Sequence, residues 1–281
     1  MMREGPLAIV CGGGSLPFAV ADAVQKRGRR AVLLALRGWA DPERVAAYPH
    51  HWIGLGQFGA VCRHARAEGC RDMVFIGTLT RPPLWHLRFD WGALRLLSRL
   101  VVAYRGGDNH LLSRVAEAFQ REGFRLIGAH EVAPEILVPE GALSRRSPNE
   151  QERADIARGL ELINAIGSFD VGQAAVVAGN RVLAVEAAEG TDRMLARVAE
   201  LRGKSGASGG VLVKAPKPGQ DWRFDLPSIG PQTVESAVRA GLAGAAVMAG
   251  GAIVAEPQRV AALADAHDIF VIGVRADGNF G

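Results

Sequence analysis

Two observations predict that this chain is an α/β protein of two domains. Its first half repeats short apolar runs separated by stretches of helical period, and the same alternation resumes after a break marked by prolines. The totals agree: 281 residues are enough for two cores of ordinary size, and a 48% hydrophobic, 22% charged chain has the balance of a globular protein. The expected architecture is an N-terminal Rossmann-like three-layer domain with a parallel sheet over 1–133, a linker over 134–149, and a smaller C-terminal α/β domain over 150–281. A ligand cleft is expected between them.

Leu7–Cys11 is wholly apolar and ends at three glycines, the mark of a buried strand. Residues 16–28 have helical period, with Pro17 in the first turn, where a missing N–H costs nothing. Ala31–Leu36, 52–55 and 73–77 read as strands, with 57–69 a helix between the last two. A helix around 111–121 leads to a final strand over 125–132. Strands alternating with helices of about 10–15 residues predict a parallel sheet covered on both faces, with right-handed crossovers. Prolines 134, 139 and 148 mark the linker. Beyond it, Glu150–Ile166 reads as a helix, and Ala174–Ala178 and 182–187 as strands joined at Gly179-Asn180, a tight hairpin signal. The Gly/Ser-rich stretch 203–210 is a loop before strand Val211–Lys214. A helix over 231–240 opened by Pro231, strand 245–249, a helix near 258–267 and strand Phe270–Val274 complete the second domain.

Composition narrows the function classes. No apolar run approaches the roughly 20 residues of a membrane span. Met1-Met2-Arg3-Glu4 passes directly into a short strand and then into Gly12-Gly13-Gly14, which is not the pattern of a signal peptide. Cys11, Cys62 and Cys70 are odd in number and lack Cys-x-x-Cys spacing, so a reducing cytoplasm is expected rather than a disulfide framework or thiolate zinc site. Residues 1–150 carry 20 Lys/Arg against 14 Asp/Glu, and residues 151–281 carry 13 against 15, so an anionic ligand or surface should meet the first half. Basic residues are not interleaved with aromatics, and nucleic acid is not an expected partner. In 85–104, Arg88, Arg95 and Arg99 share one helical arc and Leu94, Leu97, Val101 and Tyr104 another. That pattern suits either a solvated basic face or an element resting on an anionic bilayer.

Chemistry concentrates in four places. The stretch 214–230 holds three prolines and two glycines, which exclude a regular helix, together with Lys214, Lys217 and Arg223 and the acids Asp221 and Asp225. Cations there suit an anionic substrate, with a carboxylate for a metal or an attacking water; a stiff loop of solvated charges is the alternative. Gly12, Gly13, Gly14 and Ser15 lie between a strand and a helix N-terminus, where backbone N–H groups can meet an anion, or where a tight turn is all that is needed. The run is not G-x-G-x-x-G, because Pro17 stands in the third glycine's place, although Arg37 keeps an NADP-type site open. Thr78 and Arg81 follow a strand in a small polar turn, a position where open α/β sheets place ligands. The turn Glu189-Gly190-Thr191-Asp192 opens a helix; Thr191 capping and Asp192 facing the dipole would account for it, as would Glu189 and Asp192 reaching a metal or sugar. His130 and Glu131 at the end of 125–132 face either a cleft or their own strand.

Taken in order, Gly12-Gly13-Gly14-Ser-Leu-Pro17, Gly77-Thr-Leu-Thr-Arg81-Pro82, Gly107-Asp108-Asn-His-Leu-Leu112, Gly128-Ala-His-Glu-Val132, Glu186-Ala-Ala-Glu-Gly-Thr-Asp192, Lys214-Ala-Pro-Lys-Pro218 and Asp225-Leu-Pro-Ser-Ile-Gly230 resemble the LpxI family of UDP-2,3-diacylglucosamine pyrophosphatases over essentially the whole chain. The resemblance implies a two-domain enzyme of lipid A biosynthesis that splits UDP-2,3-diacylglucosamine into UMP and 2,3-diacylglucosamine 1-phosphate (lipid X). It implies a divalent metal of the magnesium type, water attack on the β-phosphorus, and a place on the cytoplasmic face of the inner membrane, peripheral to its anionic surface. The family's essential aspartate falls on Asp225, with Ser228 where the motif commonly has threonine.

On this basis Asp225 and Lys214 are the expected catalytic residues, and Asp225 and Asp192 the expected metal ligands. Substrate contacts are expected from Gly12, Gly13, Gly14, Ser15, Thr78, Arg81, Glu189, Gly190, Thr191, Asp192 and Lys217. A homo-oligomer is compatible with the sequence. The competing expectations are a non-catalytic nucleotide-sugar or lipid carrier, which needs no metal-poised acid, and an NADP-dependent oxidoreductase.

Overall fold

A computed structural model describes residues 5–79, 90–93, 108–169, 171–203, 208–224 and 226–276, with backbone alone for 108–113. Arg81, Asp225, the basic arc of Arg88, Arg95 and Arg99, and part of the 203–210 loop lie outside the described residues. The chain divides into two compact units, Met1–Pro134 with Asp221–Asp225, and Glu135–Gln220 with Leu226–Gly281.

In the first unit β1 (Leu7–Cys11), β2 (Ala31–Leu36), β3 (His50–Ile53), β4 (Asp72–Ile76) and β5 (Arg125–Leu126) form a sheet in the order β3-β2-β1-β4-β5. All its pairings are parallel. β1 and β2 are buried along their whole length, which is why they read as unbroken apolar runs rather than alternating ones. Helix α1 (Leu16–Lys26) packs on β1 and β2 and buries Phe18, Val20, Ala21 and Val24. Helices α3 (Phe58–Ala67) and α4 (Asp108–Arg121) supply Val61, Cys62, Ala65, Ala116 and Phe119 to a core with Val10, Val32 and Leu34. A four-residue helix, α2 (Pro42–Val45), was not expected; Asp41 caps it by accepting from the N–H groups of Glu43 and Arg44. The result is the Rossmann-like three-layer unit that the alternating pattern predicts.

At the amino end of this sheet Asp72 is buried between two arginines: Arg125 binds it in two-pronged fashion at 2.7 and 2.9 Å, and Arg29 binds the second oxygen. Burial pushes the Asp72 carboxyl up, but the hydrogen bonds from Arg125 and Arg29 outweigh it and hold it below its ordinary value. All three cysteines are free and buried, burial raising the thiols of Cys11 and Cys62 to about 12 and that of Cys70 to about 11.

One expected strand is shorter than its sequence suggested. Pairing along 125–132 stops at Leu126, and Ala129–Val132 is a short helix, α5. The cause is local: the Glu131 carboxylate accepts from the Gly128 N–H at 2.6 Å, which turns the chain at the glycine.

The second unit has a six-stranded sheet in the order β6 (Gly141–Ala142), β13 (Phe270–Val274), β11 (Gly244–Met248), β9 (Val211–Lys214), β7 (Ala174–Ala178), β8 (Arg181–Val185). β9, β11 and β13 run parallel, while the β7 and β8 hairpin adds antiparallel strands at one edge. Among the described residues this sheet has six strands against five in the first unit. Helix α6 (Glu150–Ile166) covers one face through Ile156, Leu160 and Ile163. Helices α7 (Thr191–Gly203), α8 (Pro231–Arg239) and α9 (Pro257–Ala266) contribute Met194, Leu195, Val234 and Val260 to the other face. Gly179 and Asn180 at the hairpin tip both have positive φ, as the two-residue signal requires. Buried Asp155 on α6 accepts from both of their N–H groups, at 3.0 and 2.6 Å, and ties the hairpin to the helix.

The stretch 134–149 is not a free linker. Its short strand β6 (Gly141–Ala142) pairs antiparallel with β13, Val138 is buried in the core, and Ser144 Oγ accepts from Val271 N–H at 2.8 Å. Proline density was a misleading signal, because prolines also sit where a chain runs beside a sheet edge without donating to it. A small two-stranded parallel pair, β10 (Ser228–Ile229) with β12 (Ile253–Val254), has no counterpart in the sequence pattern.

Candidate functional sites in the two units

In the first unit the strand order reverses direction between β1 and β4, and two of the singled-out turns meet there. Gly13 and Thr78 exchange backbone hydrogen bonds in both directions at 2.9 Å, and Gly12 N–H donates to Ile76 O. A Cβ on Gly12 would stand 2.8 Å from Thr78 O, and one on Gly77 would stand 2.8 Å from Gly12 C. Glycine at 12 and 77 is therefore explained by backbone packed on backbone. Gly14, at φ +86°, turns the chain into α1, whose first position outside the helix is Ser15. Gly77 combines this close approach with φ +108°. Gly77→Ala is expected to lower stability by about 2–4 kcal/mol in urea unfolding; a change within about 0.5 kcal/mol would show that the crossing of the two turns has slack.

The segment following Gln220 belongs to this unit although the chain around it does not. Phe224 lies 5.6 Å from Phe75 and joins the core that contains Phe119. The Trp222 ring meets His130 edge-on at 5.9 Å. Asp221 and Arg223 bind one another through two parallel contacts, 2.9 and 2.6 Å, so two of the charges in the proline-rich stretch serve each other. The Arg223 hydrogen bonds keep the Asp221 carboxyl below its ordinary value.

In the second unit the structure brings together two stretches separated by more than 20 residues. Lys214, the last residue of β9, is 4% exposed, and its Nζ donates to Thr191 Oγ1 at 3.0 Å and to Ser228 O at 2.8 Å. Thr191 Oγ1 in turn donates to Glu186 Oε1 at 2.7 Å. The other oxygen, Glu186 Oε2, accepts from Gln173 N–H at 3.0 Å. The Thr191 hydroxyl thus works between two charged side chains at the start of α7, not as the helix cap that its position suggested. Lys217 is half-buried, and its N–H donates to Gln220 Oε1 at 2.8 Å; Gln220 Nε2 reaches Gln173 Oε1. Gly190, at φ +80°, makes the turn that aims Thr191 inward.

The acids of the 186–192 turn have separate fates. Glu189 pairs with Arg197 at 2.7 Å, and its own backbone N–H and that arginine hold it below its ordinary value. Asp192 is exposed and accepts from Gln232 Nε2 at 2.9 Å. No group of three or more His, Cys, Asp or Glu side chains gathers to hold a metal among the described residues. Magnesium is often held by one or two carboxylates plus substrate phosphate, and the exposed Asp192 carboxylate fits that kind of site. Glu186 and the glutamines at 173 and 220 had been given no role from sequence. Glu186 carried one signal: an acid at the end of an apolar strand, where a buried partner is needed.

The described residues include no helix long and apolar enough to cross a membrane. Residues 6–136 match the LpxI N-terminal domain family and residues 139–272 the LpxI C-terminal domain family. A relative from Caulobacter vibrioides, UDP-2,3-diacylglucosamine pyrophosphatase LpxI, is 45% identical over 272 residues, covering 95% of this chain and 97% of that protein. Among solved structures, UDP-glucose-4-epimerase from Stenotrophomonas maltophila, with bound NAD and formylated UDP-arabinopyranose, aligns over 43% of this chain and 35% of that one. Its identity is 8% and its TM-score 0.28, too low to carry weight. Two adjoining domain matches and a full-length relative agree, and the chain belongs to the LpxI family.

Proposed function

We propose that this protein hydrolyses the pyrophosphate bond of UDP-2,3-diacylglucosamine, releasing UMP and 2,3-diacylglucosamine 1-phosphate. The observation that carries this is the 45% identity, sustained over 95% of the chain, to a relative named for that substrate. Water attacks the β-phosphorus, a new P–O bond forms there, and the bond from that phosphorus to the bridging oxygen breaks, leaving the oxygen on UMP. The diphosphate is anionic, so cations fixed in place stabilise it most where charge builds up in the transition state. Lys214 and Lys217 take that role, the first from a buried position that costs no reorganisation during the reaction. Asp225 orients the attacking water or binds a metal, and Asp192 is the second carboxylate for such an ion. A magnesium-type ion held there would neutralise part of the diphosphate charge.

The turns at Gly12–Ser15 and at Thr78 and Arg81 in the first unit, and Glu189 and Gly190 in the second, supply the remaining substrate contacts. The basic excess of residues 1–150 favours a position at the anionic inner face of the cytoplasmic membrane, where the lipid substrate resides.

The test is incubation of the purified protein with UDP-2,3-diacylglucosamine in oxygen-18 water. UMP release with label in the sugar phosphate is expected. Label in UMP would move the attack to the other phosphorus, and no UMP release would remove the hydrolase. EDTA is expected to stop the reaction, and turnover unaffected by EDTA would remove the metal.

A further inference from the structure

We infer that Glu186, acting through the Thr191 hydroxyl, is a positioning residue for the Lys214 ammonium; the catalytic meaning of that role rests on the pyrophosphatase reading above. Lys214 is almost wholly buried, and a buried ammonium is tolerated only where its donors meet acceptors and a negative charge is near. Two of its contacts are to neutral oxygens, Thr191 Oγ1 at 3.0 Å and Ser228 O at 2.8 Å. A threonine hydroxyl has one hydrogen and two lone pairs, so its direction is set by whichever partner cannot donate. A carboxylate cannot donate. The 2.7 Å bond to Glu186 Oε1 therefore commits the hydroxyl hydrogen to Glu186 and turns a lone pair toward Lys214.

Glu186 is itself held firmly. It is 7% exposed, and its second oxygen accepts from Gln173 N–H at 3.0 Å. A Cβ on Gly172 would stand 2.0 Å from Glu186 O, so the 172–173 backbone lies directly against it. The carboxylate thus fixes a hydroxyl, and the hydroxyl fixes a cation at the carboxyl end of β9. Each bond is polarised in the same sense, which strengthens the chain as a whole.

Glu186→Gln tests this with little change of volume. A carboxamide can present its NH₂ to Thr191, which frees the hydroxyl hydrogen to turn toward Lys214 and unsettles the ammonium. The kcat for UDP-2,3-diacylglucosamine is expected to fall about 10–100-fold with KM within about 3-fold, the size seen when an outer partner of a working group is lost. Thr191→Val should fall comparably, and Thr191→Ser, which restores the hydroxyl, should recover most of what Thr191→Val loses.

An independent readout comes from the chain having only four lysines: 26, 204, 214 and 217. In ¹⁵N-lysine-labelled protein the buried Lys214 ammonium should give a slowly exchanging ¹H–¹⁵N signal that broadens or vanishes in Glu186→Gln while the fold is retained. Native kcat and an unchanged ammonium signal in Glu186→Gln would overturn the inference. If that variant does not fold, the Thr191→Val and Thr191→Ser pair decides, equal activity in both being the overturning result. If the native protein releases no UMP, the pyrophosphatase reading fails, and the ammonium signal alone still decides whether Glu186 positions Lys214.

Discussion

Replacing Asp225 with alanine is expected to lower turnover by about 10³-fold or more while substrate binding survives. The residue stands in Asp225-Leu-Pro-Ser-Ile-Gly230, the motif whose resemblance to the LpxI family makes it the expected essential aspartate. Its neighbours in the chain are anchored: Phe224 packs against Phe75, and Ser228 and Ile229 pair with Ile253 and Val254. Lys214 and Lys217, the cations proposed for the diphosphate, remain, so affinity measured by titration with the intact substrate should change by less than about 10-fold. Asp225→Asn should be nearly as inactive, because an amide neither binds a divalent ion well nor draws a proton from water. A purified Asp225→Ala protein with native turnover would remove the residue from the mechanism.

Lys214→Met should lower kcat by about 10²–10³-fold, the range found when one preorganised donor to a developing negative charge is lost. Methionine matches the length of the lysine stem and leaves the buried space filled, so the unfolding midpoint should move by no more than a few degrees. That separation matters because Lys214 lies beneath the surface, where a loss of activity otherwise reads as a loss of fold. Turnover within about 3-fold of native would show that this cation holds the loop together and does nothing for the phosphate.

Much of the fold was legible because the elements that carry it are long and locally encoded. Leu7–Cys11 and Ala31–Leu36 are apolar throughout because both their faces are covered. Gly179-Asn180 announced its hairpin because few residues accept positive φ. What escaped was settled by distant partners. β6, β10 and β12 are two residues each, too short to show a period, and each exists because another strand lies alongside. The same limit applied to the site. Sequence marked Lys214 and Thr191 as chemically suggestive, but nothing local says that a hydroxyl at 191 joins a lysine at 214 to a glutamate at 186. Charges that looked available along 214–230 were partly spent, since Arg223 and Asp221 bind each other.

The aromatic pair carried by the segment after Gln220 bears on how such a protein can be taken apart. A fragment ending at residue 134 keeps Phe75, Phe119 and His130 but loses Phe224 and Trp222, which cover them from a point nearly ninety residues downstream. Cutting the gene at the domain boundary would therefore yield a first half with an uncovered greasy patch, prone to clump. A synthetic peptide bearing Trp222 and Phe224, added in trans, is the natural lid for it.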